Sequence, residues 1–223
     1  MHSFIESTGG LIQLFDVPLH QNFHKASNSG SSYDLRTIFD GTLVKDQPSL
    51  AVTFVDNHDS QPLQSLESVV APWFKPLAYA LIMLRLEGYP CIFHADYYGA
   101  HYRAPGKDGN EAEVWLESFQ GVLDNMLKAR QKYLHGEQHD YFDHANTLGW
   151  VLCGDQENIG GMAVVLSNGD RGSKWMKASS SNGRYYDVLG HSSEEVVTDA
   201  DGWGDFHCNA GSVSVWLPKS ETG

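Results

Sequence analysis

The sequence predicts an α/β region followed by an all-β region, and three observations carry that reading. Across residues 1–136, short apolar runs alternate with stretches of helical periodicity. From residue 137 onward, short strand-like segments follow one another without an intervening helix pattern. The pairs Asn168-Gly169, Asn182-Gly183 and Asp201-Gly202 punctuate those segments, as hairpin turns with φ > 0 require.

In the first region, residues 11–15, 51–55 and 91–95 read as strands, the last after Pro90. A polar loop runs from His20 to Ser32, and residues 33–39 read as a helix capped by Ser32 and stopped near Gly41. Residues 74–86 read as a second helix, closed by Gly88 and Pro90. The Gly-rich segment 100–110 reads as loop. A third helix is expected over residues 111–133, where Trp115, Phe119, Val122, Leu123, Met126 and Leu127 form one apolar stripe. Strand–helix three times over predicts a parallel sheet with right-handed crossovers.

In the second region, residues 147–153, 162–166, 174–178, 184–189, 194–197, 205–208 and 212–217 read as strands. Ser212-Val-Ser-Val-Trp216 alternates strictly, so one of its faces is buried. A small antiparallel β-sandwich is the architecture this implies.

Composition narrows the function. With 223 residues, 41% apolar and 19% charged, the chain is neither disordered nor fibrous. A net charge of −13 argues against nucleic acid and anionic membrane surfaces as partners and leaves a neutral ligand. The three cysteines form no CxxC pair, so three reduced, largely buried thiols are expected rather than a zinc site or a disulfide framework. The longest apolar stretch, residues 76–84, is too short to span a bilayer. The N-terminus has neither a basic segment nor an apolar one of secretory type, which makes a cytoplasmic location the expectation.

Chemistry in parallel α/β folds gathers where strands end. Three such ends are expected: around Asp16 to His20, at Asp56-Asn-His-Asp59, and at Asp96-Tyr-Tyr-Gly99. His58 and Asp59 would place an imidazole and a carboxylate in one mouth, able to hold sugar hydroxyls and to stabilise an oxocarbenium-like transition state. Tyr97, Tyr98, Tyr102 and Trp73 could supply aromatic platforms for sugar rings. On spacing alone, the plainer alternative is that Asp56 and Asn57 end a strand and His58-Asp59 caps the next helix. The histidines of His135-Gly-Glu-Gln-His139-Asp-Tyr-Phe-Asp-His144 follow a helix that stops at Gly136, and a polar domain junction accounts for them better than a metal site.

Five motifs, in order along the chain, resemble the alpha-amylases of glycoside hydrolase family 13. They are Leu14-Phe-Asp-Val-Pro-Leu-His20, Phe54-Val-Asp-Asn-His-Asp-Ser-Gln61, Trp73-Phe-Lys-Pro-Leu-Ala-Tyr79, Gln138-His-Asp-Tyr-Phe-Asp143 and Asp201-Gly-Trp-Gly-Asp-Phe206. The nearest resemblance is to the bacterial liquefying and fungal intracellular type. It implies strands six to eight of a TIM barrel over residues 1–136 and an antiparallel Greek-key domain over 137–223. It makes Asp59 the third carboxylate, which stabilises the transition state, with His58, Asn57 and Gln61 binding substrate. The implied activity is retaining hydrolysis of internal α-1,4-glucosidic bonds, with starch, glycogen or maltooligosaccharides as the α-glucan partner.

The same resemblance implies what these residues leave out. The family's nucleophilic Asp and acid/base Glu lie on strands four and five, before residue 1, as does its main calcium site. Retaining glycosidases need both carboxylates, about 5 Å apart. The chain alone is therefore expected to be inactive, as a fragment of a full amylase. A cut there would also place any secretory signal upstream. The alternative is a non-catalytic glucan-binding remnant, or a subunit that completes its barrel with another chain. Three strands with two open edges are expected to self-associate or to need the missing barrel half. Some relatives hold a further calcium ion with backbone oxygens and two Asp side chains. The matching positions are Ser31, Tyr33, Ala145, Asn146 and Asn168, with Asn at both acidic places, a weaker site for a hard cation.

Overall fold

Asp16 shows how the first helix of any length begins. Its Oδ1 accepts from the Leu19 amide at 3.2 Å, the bond expected of a residue placed just before a helix, and Pro18 falls in the first turn, where a missing N–H does no harm. The computed structural model describes residues 2–106, 108–156 and 161–219. In chain order it opens with α1 (His2–Ser7), β1 (Leu14–Phe15) and α2 (Val17–Ser29). Two 3₁₀ turns, Gly30–Ser32 and Leu35–Thr37, precede α3 (Leu43–Asp46), β2 (Ala51–Phe54) and α4 (Lys75–Met83). Next come β3 (Tyr89–Cys91), α5 (His94–Tyr98), β4 (Ala100–Pro105), β5 (Glu111–Leu116) and α6 (Gln120–Tyr133).

Contacts divide the chain into two compact units. The first comprises Met1–Asn28, Ile38–Ile82 and Glu87–Leu123; the second comprises Ser29–Thr37, Met83–Leu86 and Asp124–Gly223. In the first, β1, β2 and β3 form a parallel sheet in that order, with Leu14 opposite Ala51 and Phe54 opposite Cys91. Leu19 and Phe23 of α2, Phe74 just before α4, and Leu77 of α4 are fully buried in this unit. The expected three-stranded parallel sheet is present. Among the described residues it forms no closed barrel.

Several expected elements differ. The polar loop after His20 falls largely in α2, and residues 33–39 contain a single 3₁₀ turn, Leu35–Thr37, rather than an α-helix. The third strand lies earlier than expected and contains Pro90, tolerated because β3 is an edge strand. Cys91 is exposed there, unlike the buried thiol expected. The supposed helix 111–133 is β5 followed by α6, and the supposed loop 100–110 supplies β4, antiparallel to β5 from Ala100↔Leu116 to Pro105↔Glu111.

The second unit adds β6 (Gln138–Tyr141), β7 (Thr147–Leu152), β8 (Met162–Ser167), β9 (Gly172–Lys177), β10 (Arg184–Asp187), β11 (Val196–Val197), β12 (Trp203–Cys208) and β13 (Val213–Pro218). One sheet runs β11-β10-β13-β8-β7-β6 and a second pairs β12 with β9, all antiparallel. Val151, Val165, Met176, Tyr185, Phe206 and Trp216 make the shared core, so the expected sandwich is present. Asn182 (φ 53°) and Gly202 (φ 87°) take the left-handed conformation expected of their turns. Their partners Gly183 and Asp201 do not, and neither do Asn168 and Gly169. No helix among the described residues is long and apolar enough to cross a membrane.

Candidate functional site

β2 is the central strand of the parallel sheet, and the chain leaves its carboxyl end at Asp56. Asn57 then folds the turn. Its Oδ1 accepts from the amides of Asp59 and Ser60, both at 2.9 Å. The turn leaves the side chains of His58 and Asp59 81% and 48% exposed, with His58 Nε2 3.6 Å from Asp59 Oδ2. Gln61 Nε2 donates to the His58 carbonyl at 3.4 Å, and Gln61 N to the Asn57 carbonyl at 3.2 Å. All four residues singled out from the sequence therefore share one turn. Asn57 spends its side-chain oxygen on the backbone, while the imidazole and the Asp59 carboxylate face solvent.

Beneath the turn lies a polar cluster that sequence spacing did not disclose. Asp56 and Asp96 are buried, at the carboxyl-terminal side of β2 and of β3 respectively, and Lys75 at the start of α4 joins them. Lys75 Nζ lies 3.0 Å from Asp56 Oδ2 and also bonds Asp96. Tyr79, one turn further along α4, donates to Asp96 Oδ2 at 2.6 Å and accepts from the Phe93 amide at 3.3 Å. Ser60 Oγ donates to Asp56 Oδ1 at 3.0 Å and accepts from the Asn57 amide at 2.9 Å, which links the cluster to the turn.

His20 adds a further support. Its Nδ1 meets the Val55 carbonyl at 2.6 Å, and since a carbonyl only accepts, Nδ1 carries the proton and Nε2 faces Ser68 Oγ at 2.8 Å. The ring stacks on Phe54, and burial holds its pKa below 6.5. Burial also pushes the Asp56 carboxyl up, an effect that Lys75 only partly offsets.

The aromatic candidates are dispersed. Tyr102 donates to the Pro62 carbonyl at 2.5 Å, and Trp73 Nε1 donates to the Ser27 carbonyl at 3.1 Å, so both polar tips are occupied. Tyr98 is exposed against Tyr97 and His94. Trp115, expected in a helical stripe, instead projects from β5 and stacks on His101 with ring centroids 3.7 Å apart.

Within the second unit, the five positions matched to a calcium site do come together. Asn168 Nδ2 donates to the carbonyls of Gly30 and Tyr33, each at 2.9 Å. Asn146 Nδ2 donates to the Ser31 carbonyl at 2.7 Å and to Asn168 Oδ1 at 2.9 Å. The Ala145 carbonyl accepts from the Leu35 amide at 2.7 Å. The histidine-rich segment is partly strand: His139 sits in β6, and His144 Nδ1 accepts from the Asn146 amide at 3.1 Å.

A family model described as "Alpha-amylase C-terminal" matches residues 163–217. The alpha-amylase of Geobacillus stearothermophilus is 47% identical over 226 residues, covering 100% of this chain and 39% of that protein. The cytoplasmic alpha-amylase of Escherichia coli K12 is 47% identical over 219 residues, covering 97% of this chain and 44% of the relative. The crystal structure of an Anoxybacillus alpha-amylase superposes with a TM-score of 0.63 at 12% identity, over 96% of this chain and 48% of that one. The chain thus spans about two-fifths of the length of the relatives it matches.

Proposed function

The chain matches the C-terminal portion of the alpha-amylases of glycoside hydrolase family 13 along its whole length, and from that premise we propose that it supplies one of the three carboxylates of an amylase active site. In this reading β1, β2 and β3 are strands six, seven and eight of a (β/α)₈ barrel, and residues 137–223 are the Greek-key domain that follows it. The reaction is retaining hydrolysis of internal α-1,4-glucosidic bonds in starch-like or glycogen-like glucans.

The observation that carries the proposal is the turn after β2. It presents Asp59 half exposed at the carboxyl end of the central parallel strand, beside an exposed His58, on a backbone held by Asn57 and Ser60. Ligands of parallel α/β sheets bind at that end of the strands. There Asp59 orients the distorted sugar and offsets the positive charge that develops at its anomeric carbon, while His58 hydrogen-bonds a sugar hydroxyl. The nucleophile and the acid/base are carboxylates outside these 223 residues. The residues taken by themselves bind glucan weakly and do not turn it over. The open edges of the parallel sheet are covered by the rest of the barrel, or by a second copy when it is missing.

The test is reconstitution. The chain is combined with the complementary N-terminal portion of the Geobacillus stearothermophilus relative, and reducing ends released from soluble starch are measured. No release is expected from the chain alone, and release is expected from the combination. Asp59→Asn should lower that rate by about 10²–10³-fold with the far-ultraviolet circular dichroism unchanged. Near-normal turnover by the Asp59→Asn combination would remove Asp59 from the mechanism.

A further inference from the structure

Three backbone carbonyls, those of Gly30, Ser31 and Tyr33, converge on the side chains of Asn146 and Asn168 in the second unit. Carbonyl oxygens can only accept, so a group of them facing one volume repels unless donors or a cation lie between them. Here every N–H of both amides is used. Asn168 spends its two on Gly30 and Tyr33, while Asn146 spends its two on Ser31 and on Asn168 Oδ1. The orientation of each amide is fixed by this arithmetic, since turning either one over would set oxygen against oxygen. Asn168 is 4% exposed, so water cannot readily stand in for the missing donors.

A calcium ion does not fit this arrangement. It would need the same carbonyls free and both amides reversed, and the resulting oxygen set would carry no charge to balance a divalent cation. Ala145, the remaining candidate, already has its carbonyl bonded to the Leu35 amide. Among the described residues no group of three or more His, Cys, Asp or Glu could hold a metal.

We infer that the paired amides of Asn146 and Asn168 do the work of a cation. They clasp the 29–37 segment to the turns flanking β7 and β8 without metal, and the stability of this unit does not respond to calcium at that place. The corollary is specific: replacing both amides by carboxylates converts a metal-independent clasp into a calcium-dependent one.

The experiment compares thermal unfolding of the purified protein in excess EDTA and in millimolar CaCl₂, for wild type, Asn168→Ala and the double variant Asn146→Asp/Asn168→Asp. Asn168→Ala removes two donors and should lower the midpoint by about 5 °C in both buffers alike. The double variant should fall at least as far in EDTA and recover most of the loss in calcium. Its terbium luminescence, sensitised by nearby tyrosine, should exceed wild type at least tenfold and be displaced by calcium. If the double variant does not fold in EDTA, its refolding yield from urea with and without calcium gives the same reading. Two results overturn the inference: a double variant no more responsive to calcium than wild type, or a calcium stabilisation of wild type that Asn168→Ala abolishes.

Discussion

Lys75 holds one positive charge between two carboxylates with only 5% of its side chain exposed. Burial works to lower its pKa, but the carboxylates of Asp96 and Asp56 outweigh burial and hold it above the ordinary 10.5. Removing the ammonium would leave Asp56 and Asp96 facing each other in a buried site, so Lys75→Met should destabilise the protein by about 3–5 kcal/mol in urea unfolding at neutral pH. The sign of the pH dependence follows from the raised value. A lysine whose folded pKa exceeds its unfolded one contributes fully below the unfolded pKa and loses that contribution as pH rises through the folded pKa. The gap in stability between wild type and Lys75→Met should therefore stay level up to about pH 10 and close above it. A gap that widened in alkali would contradict this account. Lys75 was visible in the sequence only inside a motif, because a lysine in the first turn of a helix ordinarily reads as solvated. Its partners stand 19 and 21 positions away, and only the strand ends bring them together.

At the scale of elements, Gly99 joins α5 to β4 with φ 77° and ψ 168°, a region that essentially only glycine occupies. A Cβ there would also lie 2.9 Å from the Leu116 carbonyl oxygen on the partner strand β5. Gly99→Ala should cost about 3 kcal/mol, read as a fall in urea midpoint, whereas Gly121→Ala in α6, with open space around its Cβ, should be neutral or slightly stabilising. Equal midpoints for the two variants would mean that the α5–β4 junction is not strained as described. The hairpin this glycine opens was the least legible part of the fold. Glu111-Ala-Glu-Val-Trp-Leu116 fits a period of two as well as one of 3.6, and Trp115 extended a helical stripe that begins in earnest only at α6. The alternating charges are the signal for a strand, since Glu111 and Glu113 are exposed while Ala112 and Val114 are half-buried. In the same way, Asp16 with Pro18 marks a helix start where the polar composition after His20 suggests a loop. Seven of the eight sandwich strands are legible from their apolar, β-branched runs and turn residues, whereas β6 (Gln138–Tyr141) is hidden inside the histidine-rich segment. The Asn57–Gln61 turn was legible as a motif, but its buried support was not.

For the whole molecule, two opposed terms decide what the chain does when nothing covers its parallel sheet. Leu11, Phe15, Val17 and Tyr89 are exposed on or beside the edge strands β1 and β3, an apolar border of the kind that pairs with another chain. The net charge of −13 works against pairing of identical copies. Salt separates the two effects, because it screens repulsion over about 3 Å at 1 M instead of about 10 Å at 0.1 M, while leaving apolar attraction intact or stronger. The 24.8 kDa chain should therefore show a weight-average mass in sedimentation equilibrium that rises with protein concentration, and rises more steeply at high salt. Leu11→Lys with Phe15→Lys should move it back toward the monomer by charging the edge of β1. Addition of the complementary amylase portion should do the same by covering that edge, giving a one-to-one complex in place of larger species. A strictly monomeric chain at high salt would mean that the apolar border of β1 and β3 needs no partner, and the barrel-completion reading would lose its physical basis.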